Sequence, residues 1–270
     1  MPTSTRRKRL SNSTIVDPDG YTPSLRELIG ALDTDDGVRM LKRAYVTNMQ
    51  QKIERYTAFV TKAQESVFRE ERIIDRKMPD LKRKAEAAPS DNWSIFESVS
   101  KKYLEARDEL AAFEIILRDA TDNVQKMKDV DVIEPKDAIF EIRDELRASL
   151  EALTNFSAQS TIVDSGVAII SQFVKNPTLL RTKFLNWVLA GAAGTGKTTL
   201  VHAISRMFAS AGVFVYDRVR EAGRAELVGE YEGQTVARTR AFLLASLECT
   251  IFIDEAYSIT TWSDGKPECY

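Results

Sequence analysis

The sequence predicts an α/β unit built around a phosphate-binding loop, with an all-α region before it. Three observations predict this. A glycine-rich run at 191–198 lies between an apolar stretch and an amphipathic one. A second apolar stretch ends in Asp254-Glu255. Upstream, apolar residues recur at alternating three- and four-residue spacing over many turns. The chain divides accordingly into a basic and polar tail at 1–24, a helical, coiled-coil-like domain at 25–157, a connecting segment at 158–183, and the N-terminal part of the α/β domain at 184–270.

Composition narrows the class. At 270 residues there is room for two domains. Apolar content of 43% and charged content of 29% fit a globular chain. A net charge of −2 gives no chain-wide attraction to nucleic acid or anionic membrane. No apolar run reaches membrane-spanning length, and the first residues lack the apolar core of a secretory signal. Cys249 and Cys269 make no disulfide framework, so a reducing compartment, cytoplasmic by default, is expected. Arg6-Arg7-Lys8-Arg9 reads as part of a solvated tail, with a nuclear address or phosphate contact as the alternative. The single histidine, His202, reads as a helix-surface or half-buried residue rather than a metal ligand.

Taken in order, the helical region carries one seam of Val46, Met49, Ile53, Tyr56, Val60, Ala63 and Val67. A second runs through Phe96, Val99, Tyr103, Ala106, Leu110, Phe113, Leu117, Ala120, Val124 and Met127. Both are a/d patterns. Pro79 and the polar stretch 87–92 separate them, and Ser94-Ile95-Phe96-Glu97 reads as a capping box for the second helix. Two long helices joined by a polar break predict an antiparallel hairpin. A third helix after Pro135 puts Ile139, Ile142, Leu146, Leu153 and Phe156 on one face. Interleaved Arg, Lys, Glu and Asp read as solvated outer faces, and the helical half as a place for a partner or for self-association. Val167 to Val174 predicts a short helix, interrupted at Pro177.

The run Gly191-Ala192-Ala193-Gly194-Thr195-Gly196-Lys197-Thr198 fits G-x-x-x-x-G-K-[ST], the Walker A motif of a P-loop NTPase. Glycines let backbone N–H groups turn inward around an anion, and the helix that follows points its positive end at it. Lys197 then reaches the outer phosphates of ATP, and the Thr198 hydroxyl ligates Mg²⁺. Thr199 completes the nucleotide-binding set. Phe184 to Ala190 reads as the buried strand leading in, and Thr199 to Ala211 as the helix leading out, stopped by Gly212. Val213 to Tyr216 reads as the next strand. Thr250-Ile251-Phe252-Ile253-Asp254-Glu255 then reads as Walker B, with Asp254 holding Mg²⁺ and Glu255 polarising the attacking water as general base.

Between the two motifs lies Leu227-Val228-Gly229-Glu230-Tyr231-Glu232-Gly233-Gln234-Thr235, then Thr239-Arg240; Walker B continues as Ala256-Tyr257-Ser258. With these residues the stretch from Leu185 to Ser258 resembles the AAA+ ATPases, and more narrowly the CbxX/CfxQ branch that includes red-type rubisco activases and sporulation-type relatives. The resemblance implies a homo-hexamer that couples ATP hydrolysis to remodelling or threading of a protein partner. It also implies that Gly229, Tyr231 and Gly233 form a pore loop with Tyr231 gripping substrate. The alternative is a surface loop with a half-packed tyrosine. Glu230 and Glu232 would make such a loop favour neutral or basic segments, with salt sensitivity.

The family pattern continues past Walker B with a strand bearing a polar sensor, an arginine finger, a fifth strand and a helical lid, whereas only Ile259 to Tyr270 follow here. The family places that fourth strand between the Walker A and Walker B strands. The expectation is therefore a fragment, or a product completed by a second chain. Two other functions stay open. One is a non-hydrolysing helical scaffold with an incomplete nucleotide site. The other is a DNA-acting ATPase, against which the near-neutral charge argues.

Overall fold

The computed structural model describes residues 23–87, 93–127, 138–156, 160–178, 185–229, 234–259, 261–263 and 266–268, with backbone alone for 81, 82, 84–87, 93–99, 261–263 and 266–268. The basic run at 6–9, the capping box at 94–97 and the seam residues Phe96 and Val99 lie outside the described residues or side chains.

Helix α1 (Leu25–Leu32) opens on a capping box that the helical reading of this region did not single out. Ser24 Oγ accepts from the Glu27 N–H at 3.3 Å, and the Ser24 N–H donates to Glu27 Oε2 at 2.7 Å. Helix α2 (Asp35–Ala87) runs 53 residues, about 80 Å at 1.5 Å per residue. Helix α3 (Trp93–Gln125) returns beside it. Tyr103 donates to Glu71 at 3.2 Å, while the Phe113 ring lies 5.3 Å from Phe59 and 6.0 Å from Tyr56. As the number rises on α3 it falls on α2, so the pair is the expected antiparallel hairpin.

Two details differ from expectation. Pro79 stands inside α2 rather than ending it. Proline removes one hydrogen bond and costs about 3 kcal/mol in a helix interior. Here that loss is confined to an exposed site, and the helix continues across it to Ala87. Nor are the polar faces of α2 uniformly solvated: Lys42, Asn48 and Lys52 are buried. From Val38 to Tyr56 one face of the helix is buried against other elements, with Arg39, Met40, Arg43, Gln50, Glu54 and Arg55 exposed on the other, whereas beyond Tyr56 its described side chains are mostly exposed.

What encloses that root is one hydrophobic core. Helix α4 (Ala138–Leu153) contributes Ile139, Leu146, Leu150 and Leu153. Helix α5 (Ser160–Lys175), longer than its apolar run predicts, contributes Val163, Val167, Ile169, Ile170 and Phe173. Helix α6 (Lys197–Ser210) contributes Leu200, Ile204, Met207 and Phe208. The connecting segment is thus partly a buried core helix, and α6 packs against α4 with Ser149 and Ser210 hydroxyls 3.4 Å apart.

The sheet is small. Strands β1 (Val219–Ala222) and β2 (Thr250–Ile253) pair in parallel, Val219 opposite Thr250 and Ala222 opposite Ile253. Between them come α7 (Arg224–Leu227) and α8 (Gln234–Ala245). Past β2 a 3-10 turn at Ala256–Ile259 leads to a short antiparallel pair, β3 (Thr261–Ser263) and β4 (Lys266–Glu268).

Both expected strands flanking the phosphate loop are corrected. The expected buried strand at 184–190 is irregular chain over its described residues, 185–190. Its burial alternates: Trp187 packs on Phe208 at 5.8 Å, while Val188 is 94% exposed. A strand covered on both faces needs neighbours on each side, and β2 pairs only with β1 among the described residues. Val213 to Val215 are irregular too; only Tyr216, at the end of the expected strand, reaches the β2 chain, its N–H donating to the Glu248 carbonyl at 3.3 Å, and the regular register starts at Val219. These residues fill the core instead: Val213 is buried, and Phe214 stacks edge-on against Phe208 at 5.7 Å.

Candidate nucleotide site

The loop Gly191 to Gly196 is built by left-handed glycines. Gly194 has φ 77° and Gly196 φ 80°, a region that costs other residues about 1–2 kcal/mol. Gly196 caps α6, which begins at Lys197. A Cβ at either glycine would meet nothing within 4 Å, so it is the left-handed backbone and not crowding that calls for glycine at both positions. The Thr195 hydroxyl donates to the Ala192 carbonyl at 2.9 Å and closes the turn. First-turn N–H groups of α6, at Lys197, Thr198 and Thr199, have no intrahelical acceptor. Two left-handed glycines, an exposed loop and a helix N-terminus fit a polyphosphate. Lys197 Nζ lies back over the loop, donating to the carbonyls of Gly191 at 3.0 Å and Ala192 at 2.9 Å. Gly191, Ala192, Ala193 and Thr198 are exposed.

Strand β2 ends at Ile253 as the Walker B reading requires. The Asp254 N–H continues the ladder to Ala222 O at 3.0 Å, and Asp254 Oδ1 accepts the Glu255 N–H at 2.9 Å. Glu255 has φ 46°, a left-handed backbone rare outside glycine, and both carboxylates are exposed. Their position relative to the loop follows from two contacts. Thr250 Oγ1 donates to Ser205 Oγ at 2.9 Å, and Glu221, opposite Phe252, lies 3.4 Å from His202 Nε2. Advancing two residues along the strands moves three residues back along α6. The strands therefore run against α6, and Asp254 and Glu255 lie toward the end that carries Lys197 and Thr198.

Of the expected pore loop, Tyr231 and Gly233, with Glu230 and Glu232, lie outside the described residues. Gly229 is described, and the base of the loop is tied shut. Its N–H donates to Thr235 Oγ1 at 3.1 Å, Thr239 Oγ1 donates to Leu227 O at 2.7 Å, and Arg238 donates to Val228 O at 3.1 Å. A Cβ on Gly229 would sit 2.5 Å from Gln234 Cβ, so this approach requires glycine. Arg224, which motif reading missed, donates to the carbonyls of Ser258 and Ile259 at 3.1 and 3.2 Å. It joins the start of α7 to the turn that follows Glu255. No sequence signal marks it, because both acceptors are backbone.

The opposite ends of α6 and β2 meet the helical hairpin. Asn48 Nδ2 donates to Gly212 O at 2.7 Å. Lys52 forms a buried ion pair with Glu248, which also accepts from Tyr56 Oη at 3.0 Å. Burial holds the Lys52 ammonium below its ordinary pKa, partly offset by Glu248. Further out, Arg240 on α8 reaches Glu105 at 2.6 Å and Glu109 at 2.5 Å, and Tyr216 Oη donates to Asp119 at 2.8 Å. These partners are separated by 97 to 196 positions, so no local pattern could pair them.

Comparison with known proteins places residues 187–268 in the family model "ATPase family associated with various cellular activities (AAA)". Similar curated proteins include the ESX-3 secretion system protein EccA3 of Mycolicibacterium smegmatis, 38% identical over 74 residues, which are 27% of this chain and 12% of the relative. Stage V sporulation protein K of Bacillus subtilis is 44% identical over 75 residues, 28% of this chain and 23% of the relative. The ESX-1 secretion system protein EccA1 of Mycobacterium tuberculosis is 35% identical over 81 residues, 30% of this chain and 14% of the relative. The chain thus spans under a quarter of the length of each. No solved structure matches.

Proposed function

We propose that this chain, whose residues 187–268 are AAA ATPase sequence, binds ATP with Mg²⁺ at Gly191 to Thr199 and, in an assembled ring, couples hydrolysis to remodelling of a protein partner. One observation carries the reading. The exposed left-handed glycine loop that starts α6 and the carboxylates that end β2 lie toward the same end of an α6–β2 pair running in opposite directions. Neither half alone makes a hydrolytic site.

In this reading Gly191 to Thr199 hold the phosphates with backbone N–H groups. Lys197 exchanges its two loop carbonyls for the outer phosphates, and Thr198 and Asp254 hold the metal ion. Bound Mg²⁺ supplies charge neutralisation of the phosphates. Glu255 takes the proton from the attacking water. The closed base at Gly229 and Thr235 flanks the segment with Tyr231, which in this reading grips a neutral or basic stretch of the partner. A homo-hexamer and a cytoplasmic setting belong to the same proposal. Among the described residues no helix is both long and apolar enough to cross a membrane. The helical hairpin stands as the partner-recruiting domain.

The test is nucleotide binding and turnover by the 270-residue chain. Lys197→Ala is expected to lower ATP affinity at least tenfold, and Glu255→Gln to retain binding while abolishing turnover wherever turnover is present. Unchanged hydrolysis in Glu255→Gln would remove it as the base. A second reading, a nucleotide-binding scaffold without turnover, draws on the irregular chain at 185–190, which leaves β2 paired on one side among the described residues. Binding with no hydrolysis at any protein concentration supports that reading.

A further inference from the structure

The root of α2 grips the far ends of the two elements that carry the halves of the nucleotide site. Asn48, Lys52 and Tyr56 follow one another at four-residue spacing, so they form one stripe on α2. Asn48 bonds the Gly212 carbonyl, just past the C-terminal end of α6. Gly212 has φ 81°, and a Cβ there would sit 2.3 Å from the Tyr45 ring, so Tyr45 packs directly beneath it. Lys52 and Tyr56 both bond Glu248, two residues before β2, and Glu248 itself holds a left-handed φ of 57°. One helix face therefore fixes the end of α6 remote from Lys197 and the end of β2 remote from Asp254.

No strand performs this task among the described residues. The chain at 185–190 enters no sheet, so the phosphate loop is not tied to β2 through backbone pairing. The direct side-chain link is the Ser205–Thr250 hydrogen bond, where Ser205 is fully buried. From Ser210 back to Lys197 is about 20 Å along a helix, and from Glu248 to Asp254 about 20 Å along a strand. With arms of that length, a tilt of roughly 5° at the root moves the site by about 2 Å, and a misplacement of about 1 Å can cost 100-fold in rate.

We propose that Asn48, Lys52 and Tyr56 are positioning residues of the nucleotide site, setting the spacing between the phosphate loop and Asp254 by holding α6 and β2 at their far ends. The spacing claim stands on the fold alone, and its consequence for nucleotide rests on the function proposed above.

The experiment places spin labels at His202→Cys on α6 and Ile253→Cys on β2, with Cys249 and Cys269 changed to Ser, and measures the distance distribution. The parent is expected to give one narrow distribution. Asn48→Ala, Tyr56→Phe and Lys52→Met are each expected to broaden it or add a second distance, and Arg147→Ala, on the α4 surface, to leave it unchanged. If Lys52→Met fails to fold by circular dichroism, Tyr56→Phe, which removes one hydroxyl, carries the test with Asn48→Ala. A narrow, unshifted distribution in every folded variant overturns the proposal.

The second readout, taken on the unlabelled chain, is affinity for a fluorescent ATP analogue with and without Mg²⁺. Metal-free affinity depends on the loop and should stay within about twofold, whereas the gain from Mg²⁺ depends on Asp254 and should fall roughly tenfold. An equal loss in both conditions would mean a merely structural role and also overturns the proposal. If the parent binds no analogue, the nucleotide function fails while the distances still decide the brace.

Discussion

At the root of α2, Leu41, Ala44 and Met49 are at most 1% exposed, and even Lys42 and Lys52 are buried. At the edge that carries the candidate chemistry, Gly191 to Thr195, Asp254 and Glu255 are all exposed. The first region is a closed helical core with a buried ion pair inside it. The second is a glycine loop, two four-residue strands and a left-handed glutamate. Cooperative stability resides in the helical region, and the groups suited to phosphate sit where little packing opposes their movement. Substitution at the root should therefore register in folding as well as in the spacing of the site, and substitution at the edge in binding with little effect on folding.

The largest effect expected from this contrast is at Lys52. Lys52→Ala leaves Glu248 buried without its counter-charge, which typically costs about 3–5 kcal/mol. Urea denaturation should show a loss of that size, and a double-mutant cycle with Glu248→Ala should recover part of it. A loss under about 1 kcal/mol would mean that the root is far more hydrated than its burial implies.

Next in size is a dependence on alkaline pH. Burial, reinforced by Glu145, pushes the Tyr45 hydroxyl up to about 12 from its ordinary value of 10.0. Below pH 10 Tyr45 is protonated in folded and unfolded chains alike, and its contribution is fully present. Between about pH 10 and 12 the unfolded chain ionises first, so stability falls by up to about 3 kcal/mol. Tyr56 and Tyr216 are raised in the same direction, by burial and by their Glu248 and Asp119 partners. The urea midpoint should hold steady up to pH 10 and drop above it, less steeply in Tyr45→Phe. A midpoint constant from pH 10 to 12 would break this account of the root.

The smallest effect is expected at the edge. Val188 packs against almost nothing, so Val188→Ser should change stability by less than about 0.5 kcal/mol. A measured loss above about 1 kcal/mol would show that residues 185–190 are covered in solution, and would weaken the contrast between the two regions.

Legibility in the sequence follows the range of each interaction. The glycine loop was readable because its geometry is local: Gly194, Gly196 and the start of α6 are set by adjacent residues. The α2–α3 hairpin was readable because an a/d seam repeats. The sheet was not, because apolarity at 184–190 and 213–216 does not say whether a partner strand is at hand. Phe214 and Trp187 satisfied their apolar surface against Phe208 instead. Pro79 misled because a helix tolerates proline where tertiary context does not punish it. Lys52 read as solvated with the other charged residues because a lysine looks the same in sequence whether it faces water or a carboxylate 196 positions away.

That separation has a consequence for how the chain emerges during synthesis. The hairpin closes on itself through contacts made within α2 and α3, so it is complete early. Glu248 follows Lys52 by 196 residues, which at about 5–20 residues per second is roughly 10–40 s of translation. For that interval the Asn48–Lys52–Tyr56 stripe is made but unmatched, a polar and apolar face awaiting its counterpart on a ribosome-bound chain. The root therefore closes in two steps, Asn48 meeting Gly212 after 164 residues and Lys52 meeting Glu248 after 196, and both wait on chain made long after the hairpin itself.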